Sequence, residues 1–173
     1  MYERQFPKKR YQHTLRFLEE VTTKNENILD LGVSNPFSEL MIRQGFKVTN
    51  TTGEDLDLDT SAVQTDAYDM VSAFEIFEHF VSPFNVLKDI RAKKLVTSIP
   101  LKLWFSNAYR SKTDMWDRHY HEFEDWQFDW LLEKAGWKVI KREKITNPVR
   151  KIGIRPLLRM FTPRYYLVYA ERI

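Results

Sequence analysis

The stretch that most constrains this chain is Ile28-Leu29-Asp30-Leu31-Gly32 followed by Val33-Ser34-Asn35-Pro36-Phe37. A short apolar strand meets an acid and a glycine, and a helix starts within a few residues. Asn35 is a good N-cap and Pro36 suits the first helical position. Gly32 has no Cβ, so the chain can turn tightly there. Such a crossing gathers backbone N–H groups and one carboxylate at a strand end, where α/β sheets receive small polar ligands.

The rest of the chain continues the alternation. Lys8 to Val21 is an amphipathic helix with Tyr11, Leu15 and Leu18 on one face. Ile28 to Leu31 is the first strand, and the helix from Pro36 to about Gln44 ends at Gly45. Phe46 to Thr52 is the second strand. The acidic stretch from Gly53 to Ala67 has room for one strand near Leu56–Leu58. Asp69 to Phe74 is a central strand, Val81 to Arg91 a helix, and Leu95 to Ile99 a strand ended by Pro100. A long aromatic loop covers Leu101 to Glu122. Glu124 to Ala135 is helical, and Trp137 to Lys144 and Tyr165 to Glu171 are the last strands. Strands alternating with helices argue for a mostly parallel sheet covered on both sides.

The chain has 173 residues, enough for one domain with its own core. An apolar share of 43% excludes a disordered chain, and no apolar run is long enough to cross a membrane. The basic N-terminus lacks the apolar stretch of a signal peptide, so the expected location is cytoplasmic. With no cysteine there is no disulfide and no Cys-ligated zinc, and no metal-binding set is singled out.

Gly32-Val33-Ser34-Asn35-Pro36-Phe37 does not carry the G-x-G-x-x-G fingerprint of dinucleotide-binding sites. Two further segments point elsewhere. Phe74-Glu75-Ile76-Phe77-Glu78-His79 ends the central strand in acidic residues. His119-Tyr120-His121-Glu122-Phe123 precedes Leu131-Leu132-Glu133-Lys134-Ala135-Gly136-Trp137. Together with Asp30-Leu31-Gly32, and in this order, they resemble the class I S-adenosylmethionine (SAM)-dependent methyltransferases over about residues 24–145.

The resemblance implies a Rossmann-like doubly wound α/β sheet, mostly parallel with an antiparallel last strand, here abbreviated between the second and fourth strands. One domain then spans residues 1–173: an N-terminal helix over 1–23, the core over 24–145, a basic connection over 146–163 and the last strand over 164–173. The implied cofactor is SAM. Asp30, Gly32 and Val33 fall on its first motif, where Asp30 orders the turn or meets the methionine ammonium. Ser34 and Pro36 stand where the family carries further glycines. The family's ribose-binding acid falls at or near Thr52, with Glu54 as the candidate, and Asp55-Leu56 resembles the pair that meets the adenine. The alternative is that Glu54, Asp55, Asp57 and Asp59 form a solvated loop. Phe74 and Glu75 are the implied contacts to the methionine part. Glu78 and His79 are expected to fix the following helix start, Glu78 near its positive end.

Methyl transfer asks a protein mainly for alignment and exclusion of water. A base is needed when the acceptor is a hydroxyl or a protonated amine. His119 matches a family position and is the candidate; the alternative is that it only orders its loop. Trp104, Phe105, Tyr109, Trp116 and Tyr120 either wall a pocket or pack over the sheet edge. From Lys144 to Ala170 the chain has six basic residues and no acid. Arg150, Lys151, Arg155 and Arg159 there could meet an anionic substrate or a membrane surface, although a cap with its apolar side inward is the favoured reading. Nucleic acid is disfavoured because the rest of the chain is acidic.

The expected function is methyl transfer to a small or glycan- or lipid-linked acceptor. The alternatives are a methyltransferase fold that has lost catalysis and serves in binding or assembly, and an RNA-binding α/β domain.

Overall fold

The computed structural model describes residues 8–148 and 152–173. Helix α1 (Lys8–Val21) leads into β1 (Asn27–Asp30), α2 (Pro36–Arg43), β2 (Lys47–Asn50), β3 (Met70–Phe74), α3 (Pro83–Asp89) and β4 (Lys94–Pro100). Then follow α4 (Asp125–Lys134), β5 (Trp137–Thr146), α5 (Ile154–Phe161) and β6 (Pro163–Arg172). The six strands form one sheet in the order β2-β1-β3-β4-β6-β5. The first four are parallel, and β6 runs antiparallel between β4 and β5. The doubly wound sheet with its antiparallel last strand is therefore present.

Sequence alternation explains the two covered faces. In β1, Ile28 points to the side of α1 and α2, packing with Phe17, Leu18 and Met41, while Leu29 joins the opposite core with Leu87 and Phe128. Met70 and Val71 divide the same way, as do Leu95 and Val96, and Leu167 and Val168. Successive strand residues point to opposite faces, so two apolar neighbours in a row require a layer on each side.

Local chemistry sets the element ends. Asn35 Oδ1 accepts from the amides of Phe37 (2.9 Å) and Ser38 (3.1 Å), and Ser38 Oγ accepts from the Asn35 amide (2.9 Å). This reciprocal box starts α2 as expected.

Two expected elements differ. No strand forms near Leu56–Leu58. Instead the chain makes a turn in which the amides of Leu58 and Asp59 donate to the Asp55 carbonyl, both at 3.0 Å. Aspartates spaced two apart favour such local bonds over a ladder. The helix expected from Val81 to Arg91 is confined to Pro83–Asp89, preceded by a 3-10 turn at Phe77–His79. Among the described residues, no helix is long and apolar enough to cross a membrane.

Helix α5 also departs from expectation. None of its residues is buried, and Ile154, Leu157, Met160 and Phe161 are exposed. The inward-packed cap is thus not what forms. The eight-residue helix touches β5 but leaves its apolar side chains uncovered. Arg155 and Arg159 lie on this helix, whereas Arg150 and Lys151 lie outside the described residues.

Candidate functional site

The strand order reverses between β1 and β3, and ligands of open α/β sheets bind beside the carboxyl ends at such a point. Two cavities open there. The smaller, of about 340 Å3, is lined by Arg10, Thr14, Asp30, Phe74, Glu75 and Ser98, among others. The larger, of about 600 Å3, is bounded by Thr51, Glu54, Leu56, Phe80, Trp116 and Tyr120, among others. Gly32, Val33 and Ile76 line both, so the two meet at the β1 turn.

The register of three parallel strands builds the floor. Asp30 stands opposite Asn50 on one side and Ser72 on the other. Its carboxylate accepts from Ser72 Oγ at 2.5 Å and from Asn50 Nδ2 at 3.0 Å. Asn50 Nδ2 also reaches the Gly32 carbonyl at 3.2 Å, so the Asp30–Asn50 pair holds the turn in place. Burial pushes the Asp30 carboxyl up to about 6, against the opposing bonds from Ser72, Asn50 and Asn35. Of its two expected roles, the one visible in the geometry is ordering the turn.

Gly32 has φ +98°, a conformation that an L side chain rarely adopts. Its amide donates to Thr51 Oγ1 at 2.7 Å. The amides of Leu31, Asn35, Phe37 and Ser38 also donate within the protein. At this crossing the amides of Leu31, Gly32, Asn35, Phe37 and Ser38 are thus already taken by partners within the protein.

The smaller cavity also holds Arg10 and Glu75. Their charged groups lie 3.4 Å apart in the smaller cavity. The Arg10 guanidinium lies 5.1 Å from the centroid of the Tyr165 ring and 5.6 Å from that of Tyr11. Glu75 has φ +59°, alone among the described non-glycine residues. Ser98 holds it at both ends: its carbonyl accepts from the Glu75 amide (2.9 Å), and its hydroxyl donates to Glu75 Oε1 (2.8 Å). Burial raises the Glu75 carboxyl, with Arg10, Ser98 and Arg164 opposing. Strained backbone of this kind persists where its surroundings over-determine it, often at binding sites. Phe74 packs edge-on against Phe37, with centroids 5.0 Å apart, and walls the same cavity.

The acidic stretch after β2 is an ordered rim. Glu54 folds back to the strand end, where its carboxylate accepts from the Thr52 amide (2.8 Å) and hydroxyl (2.7 Å). Bonds from backbone amides, its own first, and from the Thr52 hydroxyl hold its carboxyl below the usual range. Asp55 Oδ1 accepts from the Asp57 amide at 3.1 Å. Asp57 in turn takes the amides of Val81 and Ser82, both at 2.8 Å, pinning the rim to the start of α3. Leu56 is buried against the larger cavity.

Sequence reasoning placed Asp30, Gly32, Val33, Glu54, Asp55, Leu56, Phe74 and Glu75 here, and all eight line these two cavities. It missed Arg10 and Thr14, which α1 brings in from the far end of the chain. A cation on the sheet-facing side of an amphipathic helix was the available signal.

His119 stands apart. It lines a neighbouring cavity of about 420 Å3 with Tyr109, Arg110, Ser111, Lys112, Arg118 and Tyr120. Burial, then His79 and Arg164, lower its imidazole to about 4, so it is neutral at neutral pH. Glu78, expected to fix the start of α3, is 1% exposed while Asp57 takes the amides there, and burial followed by the Glu75 charge raises its carboxyl well above the usual range. Tyr120 lines both this cavity and the larger one of the β1 turn.

The chain matches the family described as a methyltransferase domain over residues 2–142. No curated protein matches it. Solved structures share its fold at low identity. One is a chain of the Haloferax volcanii complex between the Trm112 methyltransferase activator and the putative methyltransferase. It is 13% identical with a TM-score of 0.68, covering 95% of this chain and 90% of that one. A SAM-dependent methyltransferase from Archaeoglobus fulgidus is 16% identical with a TM-score of 0.66, covering 98% and 96%. Another from Methanosarcina mazei is 12% identical with a TM-score of 0.62, covering 91% and 97%.

Proposed function

Because the chain belongs to the methyltransferase-domain family, we propose that it transfers a methyl group from SAM to a small or glycan- or lipid-linked acceptor. The observation that carries this reading is the Arg10–Glu75 pair, 3.4 Å apart in the cavity that meets a larger one at Gly32. An amino-acid zwitterion needs one cation for its carboxylate and one acid for its ammonium, and this cavity holds both. The larger cavity offers the apolar walls of Leu56, Ile76 and Phe80 for a flat ring, and acids at Glu54 and Asp55 for hydroxyl and amino groups.

Bound SAM supplies the sulfonium leaving group and the methyl. The protein's residues bind, orient and exclude water. Arg10 takes the carboxylate, Glu75 the ammonium, and Glu54 the ribose hydroxyls, while Asp55 and Leu56 border the adenine. Asp30 holds the Gly32–Val33 turn against the ligand. Trp116 and Tyr120 limit water at the outer wall. Neutral at ordinary pH, His119 is a weak proton acceptor there.

Arg155 and Arg159 on α5 give an anionic or lipid-linked acceptor a basic approach, and Arg150 and Lys151 of the same segment lie outside the described residues. Lys144 and Arg164 contribute less, since Lys144 pairs with Asp125 at 2.5 Å and Arg164 donates to the Leu101 carbonyl at 2.7 Å.

Calorimetric titration with S-adenosylhomocysteine tests the reading. One molecule should bind per chain. Arg10→Met should weaken binding by about ten-fold or more, the loss of one charge-assisted contact. Gly32→Val should remove binding, because a β-branched residue resists φ +98°. Absence of binding to the parent protein, or equal binding by both variants, would sink the assignment.

A further inference from the structure

Beneath the outer wall lies a cluster that the proposed methyl transfer does not use. Donor atoms of Glu78, His79 and His119 all lie within 4.8 Å of one another. Glu78 Oε2 and His119 Nδ1 are buried and have no hydrogen-bond partner. Such orphans are rare in native proteins, because each forfeits the hydration it had in water. Here two of them share one cluster, and the Glu78 side chain is only 1% exposed.

The third member is already oriented. His79 Nδ1 lies 3.0 Å from the Arg118 carbonyl, which can only accept, so Nδ1 carries the proton. Its Nε2 lone pair is then left 3.8 Å from Glu78 Oε1. A backbone carbonyl that fixes the tautomer of an imidazole is the usual outer support of a metal-binding histidine. The His79 and His119 rings meet edge-on with centroids 4.7 Å apart, and Tyr109 lies against the other side of His119 at 4.6 Å. Both rings are thereby held in place before any ligand arrives.

We infer that Glu78, His79 and His119 form a binding site for a divalent transition-metal ion, coordinated by two imidazole nitrogens and one carboxylate. Two histidines and one acid suit zinc, manganese or iron better than magnesium or calcium, which prefer all-oxygen shells. Three protein ligands leave positions open, as in catalytic rather than structural sites. His79 also lines the larger cavity of the β1 turn, so an oxygen-bearing acceptor entering there would find the ion at its wall. The site stands without the methyltransferase reading, since its ligands are none of the residues assigned to the cofactor.

The full chain, stripped with chelator, is titrated with Co2+ while visible absorption is followed, and with Zn2+ by calorimetry. One equivalent should bind with a dissociation constant in the micromolar range or below, with d–d bands appearing for Co2+. Glu78→Gln and His119→Ala should each weaken uptake by at least ten-fold, while His13→Ala on α1 should not change it. Circular dichroism and S-adenosylhomocysteine titration of each variant separate lost metal from lost fold. No uptake by the parent protein, or uptake unchanged in well-folded Glu78 and His119 variants, overturns the site. Metal uptake without S-adenosylhomocysteine binding would leave it intact while removing the cofactor assignment.

Discussion

Asp30 shows how one residue can serve both the sheet and the site. Ser72 and Asn50 bond it from the two adjacent strands. Its carboxyl is raised to about 6 by burial, so folding takes up a proton between roughly pH 4 and 6. The stability it contributes is complete below about pH 4 and is lost as pH rises through 6, to the extent of about 3 kcal/mol. Asp30→Asn removes this titration. The change in Tm between pH 4 and pH 7 should be smaller in the variant than in the parent by several degrees. Superimposable Tm–pH profiles would show that Asp30 does not titrate in this window. The identity of this acid was legible from its place before Gly32. Its partners were not, because Asn50 and Ser72 become its neighbours only through parallel register.

Among the elements, α3 and α4 end on the same side chain. Arg172 Nη1 donates to the Ala135 carbonyl at 2.7 Å, and Nη2 donates to the carbonyls of Lys88 (2.6 Å) and Ile90. Its guanidinium lies 4.5 Å from the centroid of the buried Trp137 ring. A cation at two helix C-termini satisfies carbonyls that helices leave unpaired and opposes both dipoles. Arg172→Ala should lower stability by about 2–4 kcal/mol in urea unfolding, and Arg172→Lys should restore less than half, lacking the planar fork. A loss below about 0.5 kcal/mol would show that the carbonyls find other partners. Three of the helices were readable: α1 from its apolar spacing, α2 from Asn35 and Pro36, and α4 from the glycine after it; α5 was not, lying in the basic connection. The missing strand near Leu56 was not readable. Whether an apolar-acid alternation joins a ladder depends on a neighbouring strand, and here side-chain bonds to the backbone prevail.

For the molecule as a whole, α5 leaves Ile154, Leu157, Met160 and Phe161 exposed and carries Arg155 and Arg159 on the same two turns. If the acceptor is lipid-linked, the protein should co-sediment with vesicles of anionic phospholipid at low salt. Binding should fall several-fold at about 0.5 M salt, where the Debye length is only a few ångströms. Arg155→Glu together with Arg159→Glu should reduce it similarly. Equal sedimentation with neutral vesicles would show that charge does not guide the approach.

Order along the chain was enough to read a mostly parallel sheet covered on both sides, because strand and helix periods are local properties; its antiparallel close came from the resemblance that the strand-end motifs carry. It also marked the residues beside the β1 turn, since a glycine next to an acid at a strand end is a local necessity. Folding alone joined Arg10 to Glu75, Asn50 and Ser72 to Asp30, and Glu78 and His79 to His119. These partners lie some 20 to 65 residues apart, and at such separations only packing and register determine which side chains share a cavity.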